Sequence, residues 1–217
     1  MRDQGDVIES VRRALGRTSP LTVPPVPPVI DEPIVRLVQS DIGLAELFAR
    51  VASENKMGVT PVSPDELADQ LVAFLRKNRI KSVAMTISPL LKSLGIYESI
   101  RQAGVDVRTW NELQLDRVYD IDCGITDVWA AVAEVGGLVI RGTVDHGRAV
   151  SLVPAFHVAI VEPKNLVADL VDLFQKIPPD QNDKFVIITG PSKTADIEMN
   201  LVTGVHGPGM VQVFLLQ

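Results

Sequence analysis

Apolar positions at Val7, Ile8, Val11 and Leu15 recur at helical spacing near the start of the chain, and Gly16 stands where such a helix would stop. A proline-dense run follows, Ser19-Pro-Leu-Thr-Val-Pro-Pro-Val-Pro-Pro28 and on to Pro33. It has few backbone donors and favours extended polyproline geometry. Residues 1–17 therefore read as an appended helix, 18–33 as a semi-rigid linker and 34–217 as the main domain. From about Leu37 the pattern alternates between helix-like and strand-like periods. Leu44, Leu47, Phe48 and Val51 mark a helix, and 58–62 a short strand. Ser63, Pro64, Asp65 and Glu66 then suit the start of a helix whose inward face carries Leu67, Leu71, Phe74 and Leu75. Strands are expected over 82–87, 105–110, 137–140, 157–161, 184–188 and 210–216, and helices over 90–103 and 166–175. A strand–helix pair is expected around 119–134, and two glycine turns flanking a short helix over 189–209. The alternation predicts an α/β domain, a mostly parallel sheet covered by helices.

Composition narrows the function classes. Of 217 residues, 46% are hydrophobic and 22% charged, which is ordinary for a globular chain and unlike a disordered one. The net charge of -6 argues against non-specific nucleic-acid binding, which rewards basic patches. No apolar run approaches the roughly 20 residues a membrane span needs, and the N-terminus lacks the apolar core of a signal peptide, so a cytoplasmic location is expected. Cys123 is the single cysteine. It is expected to be a buried apolar side chain, and an iron–sulfur cluster held by this chain alone would need about four thiolates. His146, His157 and His206 are far apart and show no metal-ligand spacing. No resident metal or cofactor is expected.

The stretch 189–209 carries the most chemistry. Lys193-Thr194 lacks the glycine that a phosphate-binding P-loop places before its lysine, and Gly204, Gly207 and Gly209 reverse the dinucleotide spacing. What survives is a small-anion site. Thr189, Gly190 and Ser192 would lie at a strand's carboxyl end, with Ser192 or Thr194 opening a helix whose N–H groups face the ligand. Lys193 would add charge, Gly204, His206 and Gly207 would close over the site from a second turn, and Glu134, Ser151 and His157 would complete it. The plainer alternative has Ser192 or Thr194 capping that helix while Asp196 and Glu198 complement its dipole. Glu134, just before Gly136-Gly137, reads as a carboxylate nucleophile or base, or as the last solvated residue of a helix. Ser151 and His157 suggest a nucleophile and base, but no Gly-x-Ser-x-Gly elbow supports a hydrolase.

Three motifs together carry a family resemblance. Thr189-Gly-Pro-Ser-Lys-Thr-Ala-Asp-Ile-Glu198 with Gly204-Val-His-Gly-Pro208 resembles the end of the LUD domain, the lactate utilisation protein C family. Glu134-Val-Gly-Gly-Leu-Val139 and Ser151-Leu-Val-Pro-Ala-Phe-His157 resemble its two preceding motifs, and the helix around Ile8-Glu-Ser-Val-Arg-Arg-Ala-Leu-Gly16 its N-terminal segment. The intervening residues 141–148 match a variable segment, so no role falls on Asp145 or His146. The resemblance implies a fold similar to the NagB/RpiA/CoA-transferase group. It also implies a part in oxidising L-lactate to pyruvate beside two partner proteins that hold iron–sulfur clusters. Three readings stay open: such a component, a CoA-transferase- or sugar-phosphate-isomerase-like enzyme using Glu134, and a sensor of a small anionic ligand. Any of them is compatible with a homo-oligomer.

Overall fold

The computed structural model describes residues 4–17, 43–113, 115–178, 183–195, 201–204 and 206–217. The chain divides into two units, Met1–Val35 and Arg36–Gln217. In the first, Gln4–Ala14 is a helix. It ends as expected at Gly16, whose φ of 66° is left-handed. The Gly16 and Arg17 N–H groups reach back to the Arg13 and Arg12 carbonyls at 3.0 and 3.1 Å, the paired bonds of a Schellman stop. Val7, Ile8, Val11 and Leu15 are each more than half exposed. The proline run lies outside the described residues.

The second unit is built on a six-stranded sheet, parallel throughout. In chain order its strands are β1 (Gly58–Val62), β2 (Ser82–Met85), β3 (Asp106–Thr109), β4 (Cys123–Asp127), β7 (Phe156–Val161) and β12 (Met210–Leu216). In space they run β1-β12-β7-β4-β2-β3. The central strands bury both faces, which explains their near-continuous apolar runs. Val158 and Ile160 of β7 join Phe214 of β12 and Leu67, Leu71 and Leu75 of helix Pro64–Lys77 in one cluster. Ala159 and Val161 turn the other way, towards Leu47 and Phe48 of helix Leu44–Glu54. Pro61 sits in β1, an edge strand, where a missing N–H is tolerated.

A second sheet packs on that latter face. It comprises β5 (Ala130–Val132), β6 (Gly137–Gly142), β8 (Leu166–Val167) and β9 (Lys184–Ile188), ordered β8-β5-β6-β9, with antiparallel β5–β6 and β6–β9 pairs. Here the sequence expectation is corrected. The strand–helix pair expected over 119–134 is a 3-10 helix, Leu115–Asp120, followed by β4 and β5. The alanine-rich 130–133 stretch has good helix formers. It pairs instead with β6 and β8 and is wholly buried, so tertiary contacts override propensity. The 90–103 helix is two pieces, Pro89–Ser93 and Ile96–Gln102, split by Gly95 at φ 62°. The 166–175 helix begins later, at Leu170, capped by the Asp169 carboxylate on the Asp172 N–H at 2.9 Å.

The remaining strands, β10 (Lys193–Ala195) and β11 (Leu201–Thr203), form an antiparallel ribbon. Among the described residues no helix is long and apolar enough to cross a membrane.

Candidate functional site

The chain leaves β2 and β4 in opposite directions: β2 leads outward to β3, while β4 leads to β7 and then β12 on the other side. Connections that diverge in this way open a crevice at the carboxyl ends of the two strands, the usual ligand position in open α/β sheets. Asp127 is the last residue of β4, and Thr86 and Ser88 follow β2. The loop after β6 is anchored over the crevice by the Ile87 N–H, which donates to the Asp145 carbonyl at 3.2 Å. A second tie runs from the Asn111 amide to the Asp145 carboxylate at 3.2 Å. Helix Ala149–Leu152, which ends the loop, lies directly on β4. It can do so because residue 124 is glycine: a Cβ there would sit 1.7 Å from the Val150 carbonyl oxygen.

This packing sets His146 opposite Asp127. Nε2 and Oδ1 are 2.8 Å apart, and the two side chains are 20% and 21% exposed. His146 Nδ1 lies 3.4 Å from the Thr143 hydroxyl, and the Thr86 hydroxyl donates to Asp127 Oδ1 at 3.3 Å. Burial pushes the Asp127 carboxyl up. The hydrogen bond and charge of His146, its own backbone N–H and the Ser88 hydroxyl outweigh burial and hold it below the usual range. Asp127 is thus an anion that orients the ring and offers a counter-charge to a proton taken on the other nitrogen.

Two cavities meet at this ring, since His146 and Thr143 line both. The smaller, about 310 Å³, is also lined by Asp127, Arg141, Asp145 and Trp129. Arg141 is ion-paired with Asp183. The larger, about 1030 Å³, includes Trp110, Tyr119, Arg148 and Lys184.

The residues singled out from sequence lie elsewhere. Lys193 and Thr194 are in β10, so neither Ser192 nor Thr194 opens a helix with a row of free amides. The Ser192 N–H donates to the Pro208 carbonyl at 2.8 Å, and the Gly204 N–H to the Ser192 carbonyl at 2.9 Å. The two glycine turns are neighbours as expected, with a Cβ on Gly207 only 3.3 Å from Ser192 Cβ. They are joined through the β10–β11 ribbon and not through adjacent parallel strands. Thr189 and Gly190 follow β9 of the second sheet, and Gly190 packs against the Asn55 carbonyl at a φ of 144°. Lys193 and His206 are exposed. Asp196 and Glu198 lie outside the described residues.

Glu134 is half-buried in the β5–β6 turn, not at a helix end, and its N–H donates to the Ala168 carbonyl at 3.0 Å. Thr189 packs near this turn, 3.5 Å from where a Cβ on Gly137 would sit. Ser151 is buried and donates to the Arg148 carbonyl at 3.0 Å. His157 is fully buried on β7, with Nε2 2.9 Å from the Thr126 hydroxyl and Nδ1 without a partner among the described residues. Burial lowers its pKa to about 4, so the ring is neutral. Ser151 and His157 are therefore occupied separately. Cys123 is wholly buried, as expected, and burial pushes its thiol far up. Sequence reading passed over Asp127, Thr86 and His146. The available signal was that Thr86 and Asp127 each close a strand-like run, but which strand ends adjoin is decided by strand order.

Comparison with known proteins places this architecture. Lactate utilization protein C of Halalkalibacterium halodurans is 28% identical over 177 residues, covering 76% of this chain and 75% of that protein. The uncharacterized protein YkgG of Escherichia coli is 25% identical over 223 residues, covering 96% of this chain and 95% of that protein. Lactate utilization protein C of Bacillus subtilis is 35% identical over 115 residues, a match spanning 48% of each chain. The crystal structure of a DUF162 family protein from Deinococcus radiodurans shares the fold, with a TM-score of 0.54 at 20% identity, covering 81% of this chain and 99% of that one. The LUD domain itself matches residues 45–216, nearly all of the second unit, and the chain belongs to the LUD domain family.

Proposed function

We propose that this chain takes part in lactate utilisation by binding a small 2-hydroxy or 2-oxo acid in the smaller crevice cavity, with His146 taking the proton and Asp127 orienting it. The relatives named lactate utilization protein C support the pathway. The observation that carries the site is the 2.8 Å contact between His146 and an ionised Asp127 at the sheet's switch point. Arg141 lines the same cavity; Asp183 engages its Nε, and the terminal guanidinium nitrogens remain to suit a carboxylate ligand.

Oxidation of L-lactate to pyruvate removes two electrons and two protons. With the Nε2–H of His146 directed at Asp127, Nδ1 is left to receive the hydroxyl proton; this tautomer is inferred from the hydrogen bonds. The Cα–H bond breaks as that proton leaves, and its hydrogen and electron pair pass to the partner proteins, whose iron–sulfur clusters take the two electrons while the second proton is released there. This chain has one cysteine, and it is buried in the sheet.

Deleting the gene should slow growth on L-lactate and spare growth on pyruvate. Restoring it as His146→Ala should leave lactate oxidation lower by about a hundredfold or more, the usual loss when a general base is removed. Unchanged growth on lactate in a strain with no second copy counts against the pathway. A growth defect fully rescued by His146→Ala counts against the site alone. Turnover of a sugar phosphate or an acyl-CoA by the purified chain would instead favour an isomerase or transferase acting through its own residues.

A further inference from the structure

We propose that the larger cavity is a nucleotide site, taking a planar heteroaromatic ring that carries a phosphate chain. At about 1030 Å³ it is more than three times the volume of its neighbour and far exceeds the needs of a three-carbon acid. Two of its lining residues are aromatic. Trp110 is seated against Gly147, where a Cβ would come 2.1 Å from the indole Cε2, so the ring is fixed in place. Tyr119, 76% exposed, leaves its ring open to the cavity it lines and free to stack on a planar ligand.

The charges point the same way. Arg148 and Lys184 both line this cavity and both border Gly142, where a Cβ would be 2.9 Å from Arg148 Cγ and 3.2 Å from the Lys184 backbone carbonyl oxygen. Gly142 and Lys184 are also register partners across β6 and β9. Arg141, one residue away, has Asp183 as its counter-ion, whereas Arg148 and Lys184 have no ion-pair partner among the described residues. Two cations on one cavity wall, neither with an ion-pair partner among the described residues, suit a polyanion better than a single carboxylate. Stacking faces beside paired cations are the complement of a base and its phosphates. The site shares His146 with the function proposed above but does not depend on it.

The test uses ADP, with adenosine and inorganic pyrophosphate as its two halves. In the full chain carrying Trp129→Phe, Trp110 is the sole tryptophan, and its fluorescence should be quenched saturably by ADP. ADP should bind at least about tenfold tighter than either half, because stacking and charge both contribute. Arg148→Ala and Lys184→Ala should each weaken ADP about tenfold and leave adenosine unchanged. Melting curves will show that the variants are folded, and Arg148→Gln serves if Arg148→Ala is not. Calorimetry on Trp110→Leu should show weaker binding of ADP and adenosine alike. ADP binding no tighter than pyrophosphate, or indifferent to both cation variants, overturns the proposal. No turnover is required. ADP binding alongside intact lactate growth in the deletion strain therefore sinks only the function above, and a lactate phenotype without ADP binding sinks only this inference.

Discussion

Two loops in this protein have the same local character, glycines bracketing a histidine: Gly142 to Gly147 with His146, and Gly204 to Gly207 with His206. The fold treats them differently. His146 is brought over the switch point of the parallel sheet, 2.8 Å from a carboxylate that ends a central strand. His206 stands exposed at the mouth of a short antiparallel ribbon, with no side-chain partner among the described residues. The neighbouring Ser192 and Gly204 amides are already consumed by carbonyls of the turns themselves. A histidine becomes a candidate for proton transfer through what the fold places opposite it, and local sequence does not carry that information.

If the first loop depends on the sheet beneath it, the sheet is where the comparison breaks most severely. Gly124→Ala would drive a Cβ to 1.7 Å from the Val150 carbonyl oxygen, backbone that cannot rotate away. The expected cost is about 3 kcal/mol or more, at or beyond the upper end of ordinary overpacking, read as a fall in the urea midpoint. Any folded fraction should have lost the seat of helix Ala149–Leu152, and with it the His146–Asp127 contact. The matching change in the ribbon, Gly204→Ala, meets only Gly209 Cα at 3.0 Å, at a φ of 79°. It should cost about 1–2 kcal/mol, mostly backbone strain. Equal costs at the two sites would mean that helix Ala149–Leu152 is not held as described.

The third histidine separates burial from partnership. His157 is wholly buried on a central strand but faces no carboxylate, only the Thr126 hydroxyl, and burial holds it neutral with a pKa of about 4. Its ordinary value is about 6.5, so between pH 6.5 and 4 the unfolded chain binds a proton that the folded chain refuses. The sign follows: stability is fully present above pH 6.5 and falls as the pH drops through that window, by about 3 kcal/mol in all. Urea unfolding from pH 7 to 4 should show the slope, and His157→Gln should flatten it. An unchanged slope in that variant would place the acid sensitivity elsewhere.

The parts of this fold legible in the sequence are those fixed within a few residues. Helix Gln4–Ala14 and its Gly16 stop follow from local periodicity and capping, and the start of helix Pro64–Lys77 from Pro64 at its first position, although the Ser63 hydroxyl donates to the Glu66 carboxylate at 2.8 Å instead of capping a backbone N–H. The parallel sheet followed from strand length and spacing. Two segments were misread for one physical reason. Residues 130–132 and 193–195 are strands because pairing with another strand claims their backbone, across a short turn to 137–139 and also with 166–167 in the first case and with 201–203 in the second, against an alanine-rich or capping-like local signal. The crevice was illegible on the same ground. Asp127 and His146 are 19 positions apart and meet only because β4 lies between β2 and β7, an order that no local pattern encodes.

The smallest expected effect is the sharpest test of that contrast. Lys193 and His206 are both exposed, so replacing both by alanine removes no buried contact; stability should change by no more than about 0.5 kcal/mol. Lactate oxidation should hardly move either, because no helix N-terminus opens at Ser192 to hold an anion and the Ser192 and Gly204 amides are bonded within the turns. The reading from sequence alone expected the opposite, with Lys193 supplying charge and His206 closing over a ligand. Its chief support was the dipole and free N–H groups of a helix start, and Lys193–Ala195 is a strand with register partners at Leu201–Thr203. The double variant should be assayed in the same reconstituted system as His146→Ala, at matched protein levels. If it loses activity to a similar extent while remaining folded, the ribbon is the working site. The crevice pair would then be a structural hydrogen bond that ties the 143–148 loop to the sheet.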